Sequence, residues 1–499
     1  MKHKKIITIL ALATASSLAL SIAACSKTVN TTASQLSSEE TSSSTVSDNA
    51  GTLYVDVTEE ITNSNDGEHA IEVSGDTSSY SNIKVTKTGD SNSGDEADFY
   101  GDNAAVFATD GATLTLSNII VDTNGTHANG VFSYGEGTTV NISDSVITTS
   151  GNCSGGLMTT GGGTMNATNL NIHTTGNSSA AIRSDRGGGT VTVTGGSYTT
   201  DGTGSPAIYS TADITVSNAT LESTASEGVV VEGKNSVTLN NVTLIADHNV
   251  HNSNQSDSFN AVMIYQSMSG DAAEGLASFT MDGGSLTNKN GDIFFVNNTV
   301  ATITLTNVEI VNQDASGVFL RAAAAGWGSE GSNGGQVNLY LNNQMQDGDI
   351  VVDSVSALNM YLASGSTYTG TINSANEGNV YVQIESGSKW VLTGDSYITG
   401  LTCDADGIDL NGHALYINGV AYSTGTASTG TAIEMTTTST GGGQPGGMPG
   451  DPPSGEMPQG NPPDGMPGDP PSGDPPSGDP PQGGPGGNGQ EPPARPKDN

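Results

Sequence analysis

The stretch Thr113-Leu114-Thr115-Leu116-Ser117-Asn118 returns as Thr139-Val140-Asn141-Ile142-Ser143-Asp144 and again as Thr190-Val191-Thr192-Val193-Thr194-Gly195. Asp213-Ile214-Thr215-Val216, Ser236-Val237-Thr238-Leu239 and Thr302-Ile303-Thr304-Leu305 continue the series and close on Asn218, Asn241 and Asn307. Polar and apolar residues alternate within each segment, which is the period of a strand with one buried face. A turn residue follows two positions on. With Asn169 and Gly283 included, the spacings between turn residues are 26, 25, 26, 23, 23, 42 and 24. A repeat in the low twenties without helical periodicity predicts the coil of a parallel β-helix. The spacing of 42 places an insertion around residues 245–275.

A second strand repeats in step with the first. Its aliphatic column runs Val106, Val131, Leu157, Ile182, Ile208, Val229, Val262, Ile293 and Val318, and these side chains are expected to point inward. The fold class that follows is all-β: a single-stranded, right-handed parallel β-helix over residues 52–423. One coil needs only a few inward aliphatics, so the low hydrophobic content of 33% is no obstacle.

The flanks differ in composition. Lys2, Lys4 and Lys5 precede an apolar run to Ala24, an export-signal pattern over residues 1–25. Residues 26–51 are Ser/Thr-rich and read as a flexible tether. Residues 424–499 bring Asp-Pro-Pro-Ser-Gly-like units, which cannot bury a core and are expected to be disordered, with short polyproline II runs and a free C-terminus. The 52 acidic residues against 14 basic ones give a formal charge of −38, which excludes nucleic acid as a partner and disfavours docking on anionic headgroups. Of the three cysteines, Cys153 and Cys403 lie 250 residues apart, too many coils for a disulfide.

Two resemblances follow from these residues. Ser21-Ile22-Ala23-Ala24-Cys25 resembles a bacterial lipobox, which implies a lipidated Cys25 and an anchor on the outer face of the cell membrane. The repeats resemble the pectin-lyase-like and autotransporter-adhesin β-helices, and the pair Ser388–Gly394 and Ile408–Gly412 resembles the terminal coils of adhesin passengers. The pectin-lyase-like resemblance implies polysaccharide lyase or hydrolase activity, but neither the Arg or Lys base of the pectate-lyase family nor the clustered aspartates of the polygalacturonase-like hydrolases is present. Arg183, Asp185 and Arg186 are the nearest approach, and read as a surface ion-pair cluster of little energetic weight.

Binding residues are better marked. Beside the aliphatic column run Phe107, Phe132, Met158, Arg183, Tyr209, Val230, Met263, Phe294 and Phe319. The arginine places this column outward, because burying an unpaired charge is prohibitive. The next outward column holds Tyr134, Asp185, Glu232, Tyr265, Val296 and Arg321. Aromatics interleaved with polar groups at the strand spacing form a ladder suited to a polysaccharide or to a host or cell-wall glycan. The strip is either open for such a ligand or covered by the insertion. His248 and His251 in the insertion lack a third metal ligand. The acidic loops Asp90–Asp102 and Asp404–Asp409 match no established calcium motif, so no cofactor is assigned, with calcium the ion they would take. The Thr-x-Thr and Thr-x-Asn pairs, which resemble an ice-binding array, read as ordinary outward strand residues. The expected function is a non-catalytic surface adhesin or glycan-binding lipoprotein. The alternatives are an enzyme of the lyase or hydrolase class and a passive stalk.

Overall fold

In the computed structural model, residues 43–46 and 53–436 are described. The expected export signal, Cys25, most of the expected tether and the chain beyond residue 436 lie outside the described residues. The body is a parallel β-helix. Eleven strands stack in chain order from Ile71–Ser74 to Ile350–Val352, each hydrogen-bonded in parallel to its neighbour. The Thr-x-Thr strands and the strands that follow them make a second, 19-stranded sheet.

Every turn residue of the sequence repeat sits at the bend between those two strands, in the left-handed region. Asn118, Asp144, Asn169, Asn218, Asn241 and Asn307 have φ between 49° and 55°, and Gly195 and Gly283 have φ of 71° and 64°. Asn, Asp and Gly are the residues that enter this region at least cost. Stacking adds hydrogen bonds along the corner. Asn169 Nδ2 donates to Asp144 Oδ1 at 2.7 Å, and Asn241 Nδ2 to Asn218 Oδ1 at 2.9 Å.

The opposite corner is fixed by close approach. A Cβ on Gly151 would lie 1.9 Å from the Gly125 carbonyl oxygen, and one on Gly176 would lie 1.9 Å from that of Gly151. Ser154 and Ser179 complete this turn: the Ser154 hydroxyl donates to the Gly125 carbonyl at 2.9 Å, and the Ser179 hydroxyl to that of Gly151 at 3.1 Å. No bulkier side chain could follow that path in a coil spaced by one strand.

The inward column holds from Val106 through Val262, then shifts. Phe294 pairs with Val262, and Leu320 pairs with Phe294, where Ile293 and Val318 were expected. Phe279, Phe294 and Phe319 meet edge to face inside the helix at 5.5 and 5.7 Å. Phe294 and Phe319 are therefore core residues and not part of an outward ladder, and Val296 is likewise interior. The insertion around residues 245–275 is two loops separated by the strand Asn260–Tyr265. An earlier insertion forms a short helix, Asp95–Tyr100. At the C-terminal end, residues 424–436 lie on the body: Ser428 bridges Cys403, and Asn359 exchanges two 2.9 Å hydrogen bonds with Ile433. Among the described residues, no helix is long and apolar enough to cross a membrane.

Candidate functional site

The outward column of the 11-stranded sheet is Glu72, Phe107, Phe132, Met158, Arg183, Tyr209, Val230, Met263, Phe295, Arg321 and Val351. Most of it is covered. Phe132 and Met158 are fully buried, and Phe107 is nearly so. The helix Asp95–Tyr100 spans this end of the face. The Thr160 hydroxyl donates to the Phe99 carbonyl at 2.6 Å, and Tyr100 meets Tyr134 edge to face at 5.8 Å. His69 stacks on Phe107 with ring centres 4.5 Å apart. Toward the other end, Val230, Met263, Tyr265 and Phe295 pack under Ala323, Ala325 and Trp327, with Tyr265 and Trp327 ring centres 5.1 Å apart. The expected open strip is thus replaced by two small cores, each under its own cover. Arg321 is outside both, held by Asp292 with Nε 2.6 Å from Oδ2.

Between the covers the sheet face remains accessible as a cleft around Arg183 and Tyr209. One half is walled by Asp98, Phe99, Arg183, Asp185 and Asp271. The other is walled by Glu227, His248, His251, Met263 and Trp327. Pro206, Tyr209 and Asn252 border both halves.

The floor is built from paired charges. Arg183 reaches Asp98 Oδ2 at 3.0 Å and Asp185 Oδ2 at 2.9 Å, with all three side chains largely buried. The expected surface ion pair is therefore a buried triad, assembled because the inserted helix carries Asp98 down onto the sheet. Arg186 does stand at the surface, forked onto Asp271 at 3.0 and 2.7 Å and lying over the Phe99 ring. Burial pushes the Asp98 carboxyl up, but the Arg183 charge and the His127 hydrogen bond outweigh it and hold Asp98 below its ordinary value. Asp185 goes the other way: burial dominates, Asp98 adds repulsion, and the carboxyl is pushed up to about 6 despite Arg183. Desolvation would lower Arg183, but the two carboxylates keep it charged and hold it above its usual range.

Beside the triad, the Tyr209 and Tyr265 hydroxyls both donate to Glu232 Oε2, the latter at 3.1 Å. Burial is the main cause that raises both phenols, so they act as donors and not as bases. Glu232 Oε1 is buried without a hydrogen-bond partner. In the other half, the His248 ring accepts the Asn260 N–H at 3.3 Å through Nδ1. Burial is the largest cause and holds its pKa below the ordinary value, against the opposing charge of Glu227, whose Oε1 lies 3.6 Å from Nδ1. His251 stacks on Phe259 at 4.1 Å.

Of the residues expected to bind, the cleft thus brings together Arg183, Asp185 and Tyr209, with Tyr265 at its edge and Glu232 behind them. Phe107, Phe132, Met158 and Tyr134 pack under the helix. Sequence reading missed Trp327 and Asn252, which lie outside the repeat and so carry no periodic signal. It noticed Asp98 only as one acid in a loop. A half-buried tyrosine pair on the 19-stranded sheet, Tyr340 and Tyr361, was also missed. Its rings stack on each other at 4.6 Å and 8°, so the two facing ring surfaces are occupied. Comparison with protein-family models, with curated proteins and with solved structures finds no match.

Proposed function

We propose that this chain is a non-catalytic, glycan-binding surface lipoprotein. Cys25 carries the anchor outside the cell membrane, and the β-helix takes a saccharide in the cleft between its two covers. The observation that carries this reading is the mixed lining of the cleft. Tyr209, Trp327 and the His251–Phe259 stack supply apolar ring surface, while Arg183 and Asp185 supply hydrogen-bonding groups held by their ion pairs and Asn252 adds an amide at the border. A pyranose presents both kinds of surface, an apolar C–H face and a rim of hydroxyls. A concave, largely pre-formed site with a few convergent polar groups is the usual form of a small-ligand site. A saccharide array probed with the full chain tests the proposal. Binding that drops on Trp327→Ala and on Asn252→Ala supports it. Absence of binding to any saccharide leaves the passive stalk as the better account.

A second reading, a polysaccharide lyase or hydrolase, is favoured by Asp185. A carboxyl pushed up to about 6 in a cleft, beside an arginine and a tyrosine hydroxyl, has the environment of a general acid. Release of unsaturated or reducing-end products from uronate polymers, with and without calcium, and its loss in Asp185→Asn, would move the assignment to this class.

A further inference from the structure

We infer that Asp98, His127 and Cys153 form a binding site for one divalent transition-metal ion, with zinc the natural occupant. His127 and Cys153 hold equivalent positions in successive coils. Both are left-handed corner residues with φ of 56°, and each N–H is tied to the next coil, His127 to the Asn152 carbonyl and Cys153 to the Asn177 carbonyl. Their side chains therefore leave the body side by side, about one strand spacing of 4.8 Å apart. The inserted helix then lowers Asp98 onto the pair. Asp98 Oδ1 lies 3.1 Å from His127 Nδ1, and one donor atom from each of the three residues falls within 4.8 Å of the others. Tetrahedral zinc needs such ligand atoms roughly 3.5 Å apart, given metal–ligand bonds of about 2.0–2.3 Å. Small side-chain rotations bring the three donors to that spacing.

The surroundings fit the ion. Arg183 occupies the other Asp98 oxygen at 3.0 Å, which fixes the carboxylate with Oδ1 turned toward the histidine. Hydrogen bonds of this kind orient metal ligands in proteins. Charge also balances. The arginine contributes one positive charge and the two aspartates two negative ones, leaving the buried cluster one negative charge in excess. A divalent ion that displaces the thiol proton adds two positive charges and one negative, which brings the sum to zero. A sulfur–nitrogen–oxygen set with three protein ligands suits zinc and not calcium, which takes oxygens only. Metal entry releases the thiol proton and any proton shared between His127 and Asp98. The site does not rest on the glycan reading: its ligands lie at the coil corner and in the cover, and of the three Asp98 alone also borders the cleft.

The test uses the full chain with Cys25→Ser and Cys403→Ser, which leaves Cys153 as the one thiol. Cobalt(II) is the probe. One equivalent is expected to produce a near-ultraviolet thiolate-to-cobalt absorption that zinc then abolishes. His127→Ala is expected to weaken cobalt binding at least tenfold, and His248→Ala with His251→Ala to leave it unchanged. Circular dichroism checks that each variant is folded. One equivalent of zinc is also expected to slow alkylation of Cys153 at least tenfold, a readout that needs no further variant. Absence of the thiolate band, or alkylation at the same rate with and without zinc, overturns the site.

Discussion

Asp185→Asn removes a buried carboxyl that its surroundings hold against ionisation. The Asp185 carboxyl has its pKa raised from 3.8 to about 6 because it is buried and faces Asp98, with Asp271 a further source of repulsion. A carboxyl whose folded pKa lies above its unfolded value favours folding when protonated. That contribution is fully present below about pH 4 and is lost as pH rises through about 6. A shift of roughly two units at about 1.4 kcal/mol each gives a cost of about 3 kcal/mol for the ionised form. Asparagine keeps the shape and the hydrogen bond to Arg183 and cannot ionise. Subtracting the wild-type unfolding free energy from that of the variant removes the titration of the other acids, which the two chains share. The difference should rise by about 3 kcal/mol between pH 4 and pH 7 and stay flat above. Denaturant unfolding at half-unit pH intervals, in chelator to keep metals out, measures it. A difference curve that is flat across this range, or that falls as pH rises, would show that Asp185 is not a strained carboxylate and that the electrostatic account of the cleft floor is wrong.

Three further outcomes follow from the packing. Phe132→Ala empties the small core under the helix Asp95–Tyr100 and should cost about 3–5 kcal/mol. Hydrogen exchange should then show residues 95–100 opening first, and a loss of protection spread evenly over the body would contradict the cover assignment. Gly176→Ala sets a Cβ 1.9 Å from the Gly151 carbonyl oxygen and should disrupt the neighbouring coils, whereas Gly111→Ala, at φ 76° with open space around it, should cost about 1 kcal/mol. Comparable melting temperatures for the two variants would refute the close-approach argument for that corner. Ending the chain at residue 425 removes the Ser428 bridge to the buried Cys403, and alkylation of that thiol should quicken severalfold.

The fold was legible because a solenoid writes its contacts into sequence periodicity. Asn118, Asp144 and their successors are spaced by the coil length, and each occupies the left-handed corner that its side chain suggests. The inward column was legible while small or polar residues flanked it. It failed at Ile293-Phe294-Phe295-Val296 and at Val318-Phe319-Leu320, where an unbroken apolar run gives period two no way to choose the register. That ambiguity moved Phe294 and Phe319 from the core to the surface in the sequence reading. The covers were not legible at all. Nothing in Asp95–Tyr100 or around Trp327 says that these segments fold back over the sheet, since the contacts concerned are not periodic. The outward direction of Arg183 was inferred correctly from its charge, but its two carboxylate partners differ in origin. Asp185 was visible two residues away, while Asp98 arrives from an insertion 85 residues earlier.

Calorimetric titration of the best array ligand into four chains decides whether the cleft is a saccharide site. Loss of a buried aromatic anchor commonly costs about 2 kcal/mol of binding, or roughly 30-fold in affinity. Trp327→Ala should show a loss of that order and Asn252→Ala a smaller one. Tyr340→Ala, on the 19-stranded sheet, should bind like the unmodified chain. Full affinity in the first two variants, with binding lost in Tyr340→Ala, would contradict the account and move the site to the tyrosine pair on the 19-stranded sheet.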